Sequence, residues 1–210
     1  MAKDILSTLD GKWEDGSRPA DLYAAHIAKK PRDYVETIIK GLGSKKKRVQ
    51  GGCAELASLL SADAPGLLYP HLELFAANLH AKQPILRWEA VCTLGNFAPV
   101  DKQKRLPRLV PAMAELLGHE SIVLQGHAVR ALAKVARAYP GEAKRIFEAL
   151  RGSTQFFAGS RVGYVVEAME AFAGDAALAS KVREFLTPYA TSEHAPVARK
   201  AKKALRLLDS

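Results

Sequence analysis

The sequence predicts an all-α protein, a right-handed α-solenoid of about five antiparallel helical hairpins, and three observations carry that prediction. Alanine and leucine dominate the apolar positions while β-branched runs are short, which leaves few candidate strands. Apolar residues recur at i, i+3, i+4 and i+7: Gly52, Cys53, Leu56, Leu59 and Leu60; then Ala90, Val91, Leu94, Phe97 and Ala98; then Ala128, Val129, Leu132, Val135 and Ala136. The central large residue of each such face repeats as Leu56, Leu94, Leu132, Met169 and Leu205, in steps of 38, 38, 37 and 36 residues.

Residues 1–31 read as an N-terminal segment with a capping helix, and residues 32–210 as the repeat array, one domain with its cap. DLYAAHIAKK is the cap, punctuated by Pro19 and Pro31, and the turn-rich DGKWEDGS before it supplies Trp13 to fold back onto the stack. The first hairpin pairs YVETIIKGL with the helix of Leu56. Between them runs SKKKRVQGGCAEL, whose cations and double glycine raise the question of a phosphate loop. A Walker loop requires Gly-x-x-x-x-Gly-Lys-Ser/Thr, and Ser44 stands after Gly43 where the lysine belongs. Lys45 to Arg48 are therefore linker and first turn, and Gly51 and Gly52 are helical. Each helical glycine costs about 1 kcal/mol relative to alanine, which close packing against a preceding helix should offset.

The next hairpins pair LLYPHLELFAANL with ILRWEAVCTLGNFA, and LPRLVPAMAELL with HAVRALAKVA; Leu79 and Leu117 repeat the 38-residue step. AKRIFEAL opens the fourth, which is irregular, with RGSTQFFAGSR between its helices. VREFLTPYA and APVARKAKKALRLL form the fifth. Four residues before each anchor stand Gly52, Ala90, Ala128, Val165 and Ala201, small in all cases but one, so neighbouring second helices approach closely.

A net charge of +9 and a pI near 9.6 favour acidic partners. Cys53 and Cys92 have no Cys-x-x-Cys spacing and read as reduced, packed thiols. Acids near the amino terminus and the lack of a long apolar run argue against a signal or a membrane span, so a cytoplasmic protein without membrane insertion is expected. The six histidines form no His-x-x-x-His pair, and AGSRVG lacks the first glycine of a nucleophile elbow. Neither a metal nor an organic cofactor is predicted. Glu55, Glu89, Glu167 and Glu170, all on second helices, are expected in surface salt bridges.

ILRWEAVCTLGNFA, with Arg87 just inside its helix, and APVARKAKKALRLL, with Arg199, resemble the second helices of HEAT repeats, and LYPHLEL and LPRLVPAM resemble their proline-opened first helices. The resemblance covers about residues 32 to 208 and implies an armadillo- or HEAT-type solenoid whose second helices line a concave surface. On that surface Arg130, Lys134 and Arg137 follow i, i+4, i+7, with no acid along that stripe of the helix. Arg199, Lys200 and Lys203 extend the cationic set, and Arg87 and Trp88 stand near its entrance. The expected function is that of a non-catalytic binding or scaffold protein whose basic face takes an acidic protein segment or nucleic acid. The alternative is an enzyme similar to the HEAT-like DNA alkylation repair glycosylases, which depend on aromatic residues and an aspartate in the groove. HEAT-like phycobilin lyases are a further possibility. Here the groove offers Trp88 but no aspartate, because Asp101 follows the helix-ending Ala98-Pro99.

Overall fold

The computed structural model describes residues 4–209; residues 1–3, the start of the expected N-terminal segment, and residue 210 lie outside the described residues. The chain divides into two compact units, Met1–Gln103 and Lys104–Ser210. Every regular element among the described residues is helical.

The first unit opens with α1 (Ile5–Asp10), whose first turn is capped by the Asp4 carboxylate accepting from the Ser7 amide at 3.2 Å. Pro19 starts α2 (Pro19–Leu22), which widens into a π turn at Tyr23–Ile27. Ile5, Leu9, Leu22 and Ile27 are buried, so this segment covers apolar surface that the first hairpin would otherwise expose. Trp13 does fold back: its indole N–H donates to the Leu9 carbonyl at 3.0 Å. A Cβ at Gly52 would lie 3.1 Å from that ring and 2.6 Å from Leu9 Cδ2. Gly52 is thus bare where the N-terminal segment presses on it, whereas Gly51 faces Ile85 of the following hairpin, 3.1 Å from where its Cβ would stand.

The first hairpin is α3 (Val35–Leu42) and α4 (Lys47–Asp63), and the linker cations precede or open α4 as expected. Lys46 pairs with Asp10 and Arg48 donates to the Gly11 carbonyl, so the linker also holds α1 down. The second hairpin has a broken first arm, α5 (Pro65–Leu68), a 3-10 turn at Tyr69–His71 and α6 (Leu72–Asn78), because Pro70 has no N–H for an α-helical bond. Its second arm is α7 (Pro84–Asn96), which packs on α4. Phe97 meets Tyr69 and Phe75 edge to face, with ring centroids 5.7 and 5.6 Å away.

The second unit holds three hairpins. A 3-10 turn at Pro107–Leu109 leads into α8 (Val110–Glu115), which α9 (Ile122–Ala138) follows, its Ser121 side chain capping the Leu124 amide. Next come α10 (Pro140–Gly152) and the irregular fourth second helix, where only α11 (Gly163–Ala168) is α-helical between 3-10 turns at Gly159–Val162 and Met169–Phe172. In the loop between them Phe157 is buried and Phe156 is 45% exposed. The last pair is α12 (Ala179–Leu186), extended by a 3-10 turn at Thr187–Thr191, and α13 (Ala195–Leu208). Within this unit α9 packs on α11 and α11 on α13, so the second helices are consecutive neighbours. Leu132 and Met169 are fully buried, as Leu56 and Leu94 are in the first unit. Leu205, on the last helix, is half-buried.

Candidate functional site

In the first unit the expected site residues do local work. Arg87 is half-buried, and its Nε donates to the Ala81 carbonyl at 3.1 Å, closing the turn before α7. Trp88 is half-buried too, with its indole N–H donating to Glu89 Oε1 at 3.1 Å. Burial holds the Glu89 carboxyl above its ordinary range and the nearby Glu55 adds to the rise, while hydrogen bonds from Ser58 and Trp88 oppose it. Burial raises Glu55 as well. These two glutamates depart from the expected surface salt bridges, because α4 and α7 pack closely enough to withdraw them from water. Asp101 is buried and accepts the Tyr69 hydroxyl, so it serves the core of this unit.

In the second unit six of the expected residues fall on two helices, and a third helix lies between them. Arg130, Lys134 and Arg137 are exposed on α9 and line a groove of about 220 Å³. Its other wall is Tyr164, Glu167 and Glu170, from α11 and the 3-10 turn after it. From the far side α13 reaches in: Lys200 Nζ is 2.8 Å from Glu167 and Lys203 Nζ is 3.0 Å from Glu170. No acid interrupts the stripe along α9, yet two carboxylates stand directly across from it. Arg199 is not part of this groove. It lies with Lys202, Lys203 and Arg206 around a separate depression on α13. His127, one turn before Arg130, adds no charge at neutral pH, because burial and the Arg130 cation hold its pKa below the usual histidine value.

Tyr164 is the functional candidate that the spacing argument passed over. The Arg130 guanidinium carbon lies 5.2 Å from its ring centroid and Lys200 Nζ lies 5.6 Å from it, within cation–π range. Its signal was present in the sequence: it stands five residues before Met169, the position that His127 and Lys200 hold before Leu132 and Leu205.

The arrangement of helical hairpins has counterparts among solved structures. A designed armadillo repeat protein superposes over 99% of this chain and 100% of its own with a TM-score of 0.68 at 17% identity. The fold is an armadillo- or HEAT-like repeat solenoid. A second designed armadillo repeat solenoid, solved with the peptide (KR)4, matches over 99% of both chains with a TM-score of 0.70 at 16% identity. An engineered protein matches at 22% identity and TM-score 0.66, over 99% of this chain and 88% of that one. No family model matches the sequence. No curated protein matches it either. Among the described residues of the solenoid, no helix is long and apolar enough to cross a membrane, and no three His, Cys, Asp or Glu side chains converge on a point.

Proposed function

We propose that the chain is a non-catalytic binding protein whose groove between α9, α11 and α13 takes an extended acidic protein segment. The observation that carries this reading is the charge of the groove: the cations Arg130, Lys134 and Arg137 line it opposite two carboxylates, Glu167 and Glu170, which Lys200 and Lys203 pair from α13. Lys200 and Lys203 already answer those carboxylates, so Arg130 and Arg137 leave the α9 wall with surplus positive charge. A peptide can place acids opposite α9 and uncharged residues opposite Glu167 and Glu170. A phosphate backbone is negative at every step and would run over both carboxylates, which favours protein over nucleic acid. The (KR)4 peptide of the designed armadillo protein is basic; the surplus charge of this groove asks for the opposite sign.

The test is fluorescence anisotropy with a labelled peptide of alternating glutamate and glycine, run beside a labelled DNA duplex. Replacing Arg130, Lys134 and Arg137 together by glutamate is expected to weaken peptide binding by about 30-fold or more, because three attractive charge pairs become repulsive. Reversing Lys45, Lys47 and Lys102, exposed in the first unit, changes net charge identically and is expected to cost less than about threefold. Equal weakening by both triplets would reduce the effect to general attraction. Tighter binding to duplex than to peptide, with a steep salt slope, would replace the acidic segment by nucleic acid.

A further inference from the structure

Within that groove one point is built differently from the rest. Gly126 and Gly163 occupy the same place in consecutive hairpins, six residues before Leu132 and Met169. Each is covered by a side chain from the next second helix. The Tyr164 ring lies over Gly126, 3.8 Å from where a Cβ would stand, and the Lys200 stem lies over Gly163, its Cδ 3.7 Å from the equivalent point. Tyr164 thus packs toward α9 and Lys200 toward α11 at ordinary van der Waals distance, which brings the phenol ring beside Arg130 and Lys200 beside the ring. Three helices supply a guanidinium, a phenol and an ammonium, with both cations within 6 Å of the ring centroid.

Two cations on one ring repel each other, and here Glu167 offsets one of them through Lys200. The remaining positive charge is that of Arg130, which has no carboxylate within ion-pair distance among the described residues. Tyr164 lines the groove, and its hydroxyl has no hydrogen-bond partner among those residues. One cation, one unused O–H and a second cation shared with Glu167 make a receptor for a single negative charge that accepts several hydrogen bonds.

The geometry points to an anion subsite at Arg130, Tyr164 and Lys200 that anchors one aspartate or glutamate carboxylate of the bound segment. This rests on the acidic-segment reading of the groove and assigns its anchoring point. The carboxylate sits between Arg130 and Lys200, accepting from both and from the Tyr164 hydroxyl, and Glu167 sets the preference for one negative charge over two. A phosphate dianion would bring its second charge against Glu167.

The experiment uses the full chain and the same glutamate–glycine peptide. Tyr164→Phe keeps the ring and removes only the hydroxyl, and is expected to weaken binding about threefold to fivefold. Arg130→Gln is expected to cost about tenfold, as the removal of a charge-assisted hydrogen bond. Glu167→Gln is expected to tighten binding about threefold, because it removes the competing carboxylate and leaves Lys200 to the ligand. Misfolding cannot produce such a gain. If the triple reversal on α9 abolishes binding while Tyr164→Phe, Arg130→Gln and Glu167→Gln all match the parent protein, the groove reading stands and the subsite is overturned. If the triple reversal is inert, the groove reading itself falls. A peptide carrying phosphoserine at its centre should bind no tighter than the glutamate peptide, and a preference above about tenfold for it would overturn the carboxylate assignment.

Discussion

Gly41→Ala tests how rigidly the first hairpin is closed. Gly41 lies on α3 against Cys53 of α4, and a Cβ there would stand 2.2 Å from Cys53 Sγ, 2.9 Å from Leu6 Cδ2 and 3.1 Å from Cys53 Cβ. Leu6 Cδ2 ends a flexible side chain and yields cheaply. Cys53 is fully buried on a helix, where few rotamers are open to it, so its sulfur must displace neighbours or the helices must part. Overpacking by one methyl costs about 1–3 kcal/mol. Alanine in place of a helical glycine returns about 1 kcal/mol. The net expectation is a loss of up to about 2 kcal/mol, a fall of up to several degrees in Tm for a chain of this size. Cys53→Ala alone leaves a small void and should cost about 1 kcal/mol. The double variant, with the sulfur gone, should be less damaged than the sum by about 1 kcal/mol or more. Urea midpoints followed by helical circular dichroism give all four corners of the cycle. Gly66→Ala is the control, since nothing lies within 4 Å of its Cβ position; it should be neutral or slightly stabilising. Additivity within about 0.5 kcal/mol, or a Gly41→Ala chain more stable than its parent, would refute the claim that this contact sets the helix separation.

Two further outcomes follow from burial. Leu132→Ala, at a fully buried anchor, should cost about 2–5 kcal/mol, whereas Leu205→Ala, half-buried on the last helix, should cost clearly less. Equal falls in urea midpoint would mean that something else covers α13. Glu89→Gln should stabilise the fold at pH 8. The folded carboxyl holds its proton more tightly than the unfolded one, so ionisation takes stability away as pH rises through the folded value. The advantage of the glutamine variant should shrink toward zero as pH falls below about 4, where both states are protonated. A gap that stays constant with pH would remove burial of the charge as its cause.

The hairpin plan was legible because a single rule repeats: one large apolar residue every 36 to 38 positions, with a small residue one turn earlier. Leu56, Leu94, Leu132 and Met169 obey it by being fully buried. The breaks in the first helices were half-legible. LYPHLEL showed a proline at the opening of a first helix, but the 3-10 turn at Tyr69–His71 depends on what that arm packs against. The groove was least legible. Reading α9 by itself gives three cations in a row, and only packing on α11 brings Glu167 and Glu170 opposite them. Their partners Lys200 and Lys203 lie 33 residues further along, a distance that no single-helix periodicity reports. Tyr164 escaped for the same reason, since its neighbours come from two other hairpins.

In an α-helix, two residues apart means about 200° of rotation, so the position two before each anchor looks almost directly away from the core. In the second unit that position reads Arg130, Glu167 and Lys203, while the anchors remain Leu132, Met169 and Leu205. One face is held by packing and the other is open to drift. A hairpin copied within the gene would inherit the first and could then change the second by single codons without refolding. The surface of such a chain behaves like interchangeable type set in a fixed frame, and a new partner would need only a new letter at a few places.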